Sequence, residues 1–141
     1  MEIDYDLFSR IEKGLLAEYV DRIYREEPPT YYDSEKIWCN VGVRLVHSNF
    51  TIAVLCEYDE NAPGDGVYVG VKILDGSGDA NGLVNWLVSK GYDNKFPHQL
   101  GKHKRPFSWA YSKEIADVKQ GIDLFHKLYD ECNAFLCNQI F

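Results

Sequence analysis

The chain has 141 residues, with 22 acidic and 15 basic side chains for a formal net charge of −7, and 45% hydrophobic against 26% charged residues. That balance is globular rather than disordered, and the length suits one domain over residues 1–141 with a core that needs no covalent staples. No apolar run approaches the ~18 residues that cross a bilayer, and the acidic start Met1-Glu2-Ile3-Asp4-Tyr5-Asp6 lacks an apolar stretch, so a cytoplasmic location is expected, with the four cysteines as thiols.

In chain order, residues 7–26 are expected to be helical. Phe8, Ile11, Leu15, Tyr19 and Ile23 recur at steps of three and four, with Leu16 and Val20 widening the stripe. Asp4 or Asp6 suits the start, Pro28-Pro29 suits the stop, and Gly14 weakens the middle. Residues 36–46, 50–58 and 67–74 alternate as strands. Their apolar faces are Ile37, Cys39, Val41, Val43 and Leu45; then Phe50, Ile52, Val54, Cys56 and Tyr58; then Val67, Val69, Val71 and Ile73. Short links between them predict an antiparallel meander. A short helix is expected over about 80–90, burying Leu83, Val84 and Leu87, with Gly91 as its C-cap. Phe107, Trp109 and Tyr111 predict a fourth strand. Ser112 is expected to cap a long helix to about 138, striped by Ile115, Val118, Ile122, Phe125, Tyr129, Cys132 and Leu136. Because the stripe mixes Phe, Tyr and Cys, it predicts a helix lying on its own sheet rather than a coiled coil. The fold class is therefore α+β, a mostly antiparallel sheet of about four strands in the order α-β-β-β-α-β-α, flanked by two long helices and one short one.

Charge is unevenly distributed. Residues 1–35 hold ten acidic and four basic side chains, whereas residues 76–141 hold seven acidic and eight basic. An acidic field repels phosphate backbones and attracts basic surfaces. The α-β-β-β-α order over about 7–90 resembles double-stranded-RNA-binding domains. That family holds phosphates with lysines at its second helix, but the matching Asp79-Ala80-Asn81-Gly82 has no cation, so RNA binding in that mode is not expected.

Other chemical motifs fail on specific residues. A nuclease of the PD-(D/E)xK type needs an acid two positions before its lysine; Asp65 and Lys72 are suitably placed, but Gly70 stands where the acid should be. The carboxylates Glu57, Asp59, Glu60 and Asp65 do not follow EF-hand spacing and suit a solvated loop. The cysteines have no C-x₂-C pair; Cys39, Cys56 and Cys132 suit core thiols and Cys137 an exposed one. His98 and His103 lack a third ligand, and the chain has no P-loop, dinucleotide fingerprint or G-x-S-x-G elbow. No cofactor or metal is implied.

The expectation is a non-catalytic acidic module that binds a basic protein surface, such as the nucleic-acid channel of a host protein. Its contacts would be Asp21, Glu26, Glu27, Asp33 and Glu35, with Tyr31 and Tyr32 as aromatic anchors. In size and charge the chain resembles the small acidic inhibitors that phages and mobile elements direct against host defence, anti-CRISPR proteins among them; no residue pattern carries that resemblance. The alternative is a nucleic-acid-binding or nuclease-accessory domain using the basic loop 95–106, through Lys95, Lys102, His103, Lys104 and Arg105. A third is an enzyme using His98 or His103 as a base. A homodimer through the C-terminal helix, which ends in Phe135, Leu136, Ile140 and Phe141, is also expected.

Overall fold

The computed structural model describes residues 2–26, 38–47, 50–59, 66–76, 80–93 and 108–138. The elements are α1 (Glu2–Glu18), β1 (Ile23–Tyr24), β2 (Trp38–His47), β3 (Phe50–Asp59), β4 (Gly66–Gly76), α2 (Ala80–Ser89), β5 (Ser108–Glu114) and α3 (Val118–Asn138). The five strands form one sheet in the order β1-β2-β3-β4-β5, each antiparallel to its neighbour. This is the expected α+β meander, with a fifth strand added at one edge.

The alternating sequence makes two different faces. Val41 and Val43 of β2, Ile52, Val54, Cys56 and Tyr58 of β3, and Val67, Val69, Val71 and Ile73 of β4 are all buried on the face toward the helices. Against them pack Phe8, Ile11 and Leu15 of α1, Tyr19 just after it, Leu83 and Leu87 of α2, and Phe125, Leu128, Cys132, Phe135 and Leu136 of α3. The opposite face is mixed. Ala53, Leu55 and Trp109 form a small second cluster, with Tyr24 and Leu74 against it. Asn40, Glu57 and Lys72 are buried polar residues.

The first helix is displaced from its expected bounds. It starts at Glu2 and stops at Glu18, so Asp4 and Asp6 lie within it rather than before it, and Asp6 pairs with Arg10 one turn on. The helical bonding ends with Tyr19 N–H donating to the Leu15 carbonyl at 2.9 Å. Ile23 and Tyr24 instead pair with Val43 and Gly42 at the edge of β2. A β-branched and an aromatic residue beside an open strand edge gain more from pairing than from another helical turn. Val20, expected on the apolar stripe, is 76% exposed.

The last helix starts later than expected. Ser112 stays in β5, and the chain remains on the sheet through Ile115, whose N–H donates to the Val67 carbonyl. Asp117 supplies the cap, its Oδ1 accepting from Gln120 N–H at 2.8 Å, while the Gln120 side chain reaches back to the Ala116 N–H at 2.8 Å. At the end of α2 the expectation holds. Gly91 has φ +96°, Tyr92 N–H reaches the Leu87 carbonyl, and Gly91 N–H reaches the Val88 carbonyl, a Schellman motif.

Helices α1 and α3 approach closely because each offers a glycine to an isoleucine of the other. A Cβ on Gly14 would meet Ile122 Cδ1 at 2.5 Å, and one on Gly121 would meet Ile11 Cδ1 at 2.6 Å. The glycine that weakens α1 in isolation is thus what lets it seat. Phe135 and Leu136 are buried in this core, so the part of the α3 stripe expected to drive self-association is covered within the chain. Ile140 and Phe141 lie outside the described residues.

Phe125 of α3 is fully buried, and its ring meets that of Tyr19 at a tilt, with centroids 5.4 Å apart. Phe125→Ala is expected to cost about 3–5 kcal/mol by the transfer and cavity terms, read from the urea unfolding midpoint.

Candidate functional site

Two of the expected partner-contact acids lie among the described residues. Asp21 sits in the turn after α1 with its side chain 75% exposed and a loose 3.4 Å contact to Arg22. Glu26 follows β1, but its side chain is only 5% exposed. Its carboxylate is turned onto the second face of the sheet. Glu27, Tyr31, Tyr32, Asp33 and Glu35 lie outside the described residues, as do His98 and the basic loop residues Lys95, Lys102, His103, Lys104 and Arg105.

Glu26 meets a lysine there. Lys72 Nζ lies 3.0 Å from Glu26 Oε1 and 3.0 Å from Glu57 Oε1. The same ammonium stands 4.6 Å from the centre of the Trp109 ring, within cation–π range. Glu57 and Lys72 come from neighbouring strands without facing each other directly: Glu57 is opposite Tyr68, and Lys72 is opposite Ala53. Their side chains meet along the strand direction across the Leu55–Gly70 pair, where Gly70 has no side chain to obstruct them.

Backbone contacts hold Glu26 in place. The Asn40 side chain accepts from the Glu26 N–H at 2.7 Å and donates to the Glu26 carbonyl at 2.9 Å, copying a strand's pairing with a single amide. Arg25 donates to the Asn40 carbonyl at 2.9 Å and to Glu12 of α1 at 2.6 Å. The Tyr24 ring lies under Arg44 and against Ala53 and Leu55.

These surroundings decide what the buried groups can do. Burial works to lower the Lys72 pKa, but the attraction of Glu57 and Glu26 and their hydrogen bonds outweigh it, leaving the ammonium above its ordinary 10.5. A lysine nucleophile needs the opposite shift. Two carboxylates could hold a hard cation, but here an ammonium occupies the space between them. Burial pushes the Cys56 thiol up, and the Cys132 thiol to about 12, so neither is a ready thiolate. Cys137 is exposed, and none of the four cysteines is in a disulfide.

A second polar contact ties α1 to α3. Tyr19 Oη lies 2.6 Å from His126 Nδ1, and Arg22 donates to Tyr129 Oη at 2.8 Å. Burial, with help from Tyr129 and nearby carboxylates, pushes the Tyr19 hydroxyl to about 12. The hydroxyl is therefore protonated rather than a phenolate base, and which partner donates in the Tyr19–His126 bond follows the histidine tautomer. Among the described residues no group of three or more His, Cys, Asp or Glu could hold a metal ion. No helix among them is long and apolar enough to cross a membrane.

Sequence reading weighed Lys72 only as part of a failed nuclease motif and Glu26 only as a surface acid. Lys72 stands at the polar position of its alternating strand, between the core residues Val71 and Ile73, so the local pattern carries no sign that it is buried.

Lys72→Met, leaving both carboxylates buried, is expected to cost about 3–5 kcal/mol in urea unfolding, and the triple replacement Glu26→Leu/Glu57→Leu/Lys72→Met to recover most of it. A single-variant loss under about 1 kcal/mol, the range of exposed pairs, would contradict the burial. Lys72 and Tyr19 both hold their protons more tightly folded than unfolded. Their stabilisation is complete below their unfolded pKa values of 10.5 and 10.0 and disappears as pH rises through the higher folded values. Unfolding free energy is thus expected to fall from about pH 10 upward, less steeply in Tyr19→Phe.

With this geometry established, comparison with known proteins adds no identity: no protein-family model, no curated protein and no solved structure matches the chain.

Proposed function

We propose that this protein is a non-catalytic acidic module that binds a basic protein surface, of the kind that lines a nucleic-acid channel. The observation that carries the reading is the acid concentrated in residues 1–35, ten acidic side chains against four basic. An excess of this sign steers association toward basic surfaces and away from phosphate.

The acids differ in exposure. Asp6, Glu18 and Asp21 are exposed on α1 and the turn after it. Glu26 is an internal anchor and is no longer among the proposed contacts. The exposed acids join Glu27, Asp33 and Glu35, with Tyr31 and Tyr32 as aromatic anchors. The buried lysine, the core thiols and the Tyr19 hydroxyl are all held in their unreactive protonated forms, which agrees with a role in binding. An inhibitor of a nucleic-acid-handling host protein is the version of this reading in which the basic surface is a working channel.

The test is capture from native host lysate on the tagged chain, with nuclease treatment and raised salt as separate arms. A protein partner is expected to survive nuclease, to weaken with salt, and to be lost with Asp21→Lys/Glu27→Lys/Asp33→Lys/Glu35→Lys in a chain that still folds. Capture unchanged by the charge reversal would end the proposal, and recovery of nucleic acid alone would shift the function to loop 95–106.

A further inference from the structure

The chain after α1 is held to the sheet differently from every other strand. Strands β2 and β3 share ten paired positions, from Trp38 opposite Asp59 to His47 opposite Phe50. Strand β1 shares two with β2, Ile23 opposite Val43 and Tyr24 opposite Gly42. The turn leading into it is open to solvent: Val20 is 76% exposed, and Asp21 and Arg22 are exposed beside it. At its near end β1 is held by Arg22, which donates to Tyr129 Oη at 2.8 Å, and by Ile23 against the main core, and at its far end by a set of side-chain clamps. These are Arg25 on Glu12 and the Asn40 carbonyl, the Asn40 amide on the Glu26 backbone, and the Glu26 carboxylate on Lys72.

We infer that residues 20–26 form a strap that opens from the sheet as a unit while β2–β5 stay paired, with Glu26 as its releasable carboxylate. Opening disrupts few backbone pairs, and segments with few contacts open well below the free energy of global unfolding. Breaking a buried ion pair is normally prohibitive because it strands a charge. This arrangement avoids that cost for Lys72. Glu57, 3.0 Å from the ammonium, belongs to the adjacent strand β3 and is not part of the strap, so Lys72 keeps a carboxylate when Glu26 leaves. The departing carboxylate passes from an internal ammonium into water. Opening also withdraws the Tyr24 ring from Ala53, Leu55 and Arg44. The strap is thus a conformational device that switches Glu26 between an internal contact and solvent. It goes beyond the binding-module reading and does not depend on it, because the test needs no partner.

Amide hydrogen exchange on the isolated full chain, resolved by peptide, tests the strap directly. In the native protein, a peptide covering 20–26 is expected to exchange faster than peptides within 52–58 and 67–73, after correction for intrinsic rates, and without dependence on low urea. Glu26→Ala is expected to raise exchange in 20–26 about tenfold or more, the effect of losing one charge-assisted contact, and to leave the central strands unchanged. Arg25→Ala, which removes a more exposed clamp, is expected to act in the same direction. Exchange of 20–26 only together with the central strands, at the same rate and urea dependence in the native chain, would overturn the inference. So would acceleration of both regions equally in the variants. The native-chain result stands whether or not a variant folds.

Discussion

An ammonium in the middle of a sheet face demands carboxylates, and much of this molecule's second face is arranged to deliver them. Lys72 extends from β4 on the face away from the helices and is 8% exposed. Glu57 reaches it from the neighbouring strand, and Glu26 is brought by a turn, a two-residue strand and a pair of amide contacts. The early end of α1 makes that delivery possible. A helix continued to residue 26 would carry Glu26 past the sheet edge, whereas the turn at 20–22 returns the chain beside β2. Trp109 then lies beside the ammonium with its ring face, contributing attraction without competing for its hydrogen bonds.

The helical side obeys a simpler rule. Branched side chains from three strands present an even apolar surface, and three helices cover it. Specific register enters where α1 meets α3. The crossed glycine–isoleucine contacts fix how far the helices slide along one another, and the Tyr19–His126 bond fixes their rotation. Apolar area supplies most of the stabilisation here, while these few contacts select one arrangement among many of similar burial.

How much was legible in the sequence follows from the range of each interaction. Strands β2, β3 and β4 were readable because alternation is local and each strand lies beside its chain neighbour. The Gly91 cap was readable because a left-handed residue after a helix is a one-residue signal. The two-residue β1 was not, because Ile23 continues the α1 stripe in spacing as well as it suits a strand; the choice rests on the β2 edge, which the local pattern does not contain. The start of α3 was misplaced because Ser112 and Asp117 are both acceptable caps, and pairing of β5 with β4 as far as Glu114 decides between them. The triad was hidden for a related reason. Glu57 and Lys72 are not directly opposed, and Glu26 is 46 residues from Lys72 in the chain. Of the expected contact acids, Asp21 is exposed as composition suggested, while Glu26 carries a charge whose partner no composition argument identifies.

The nearest-neighbour order of the strands has a consequence for how the chain acquires its structure. Hairpins β2–β3 and β3–β4 close over short separations and can form early. The seam between α1 and α3 joins residues 107 apart, as in Tyr19 and His126, and must wait for nearly the whole chain. While a ribosome is still extending the chain toward residues 118–138, the valine-rich face of the sheet lacks its largest cover. During that interval the face has α1 and α2 but not α3 to cover it, and apolar surface left open in a growing chain is prone to association.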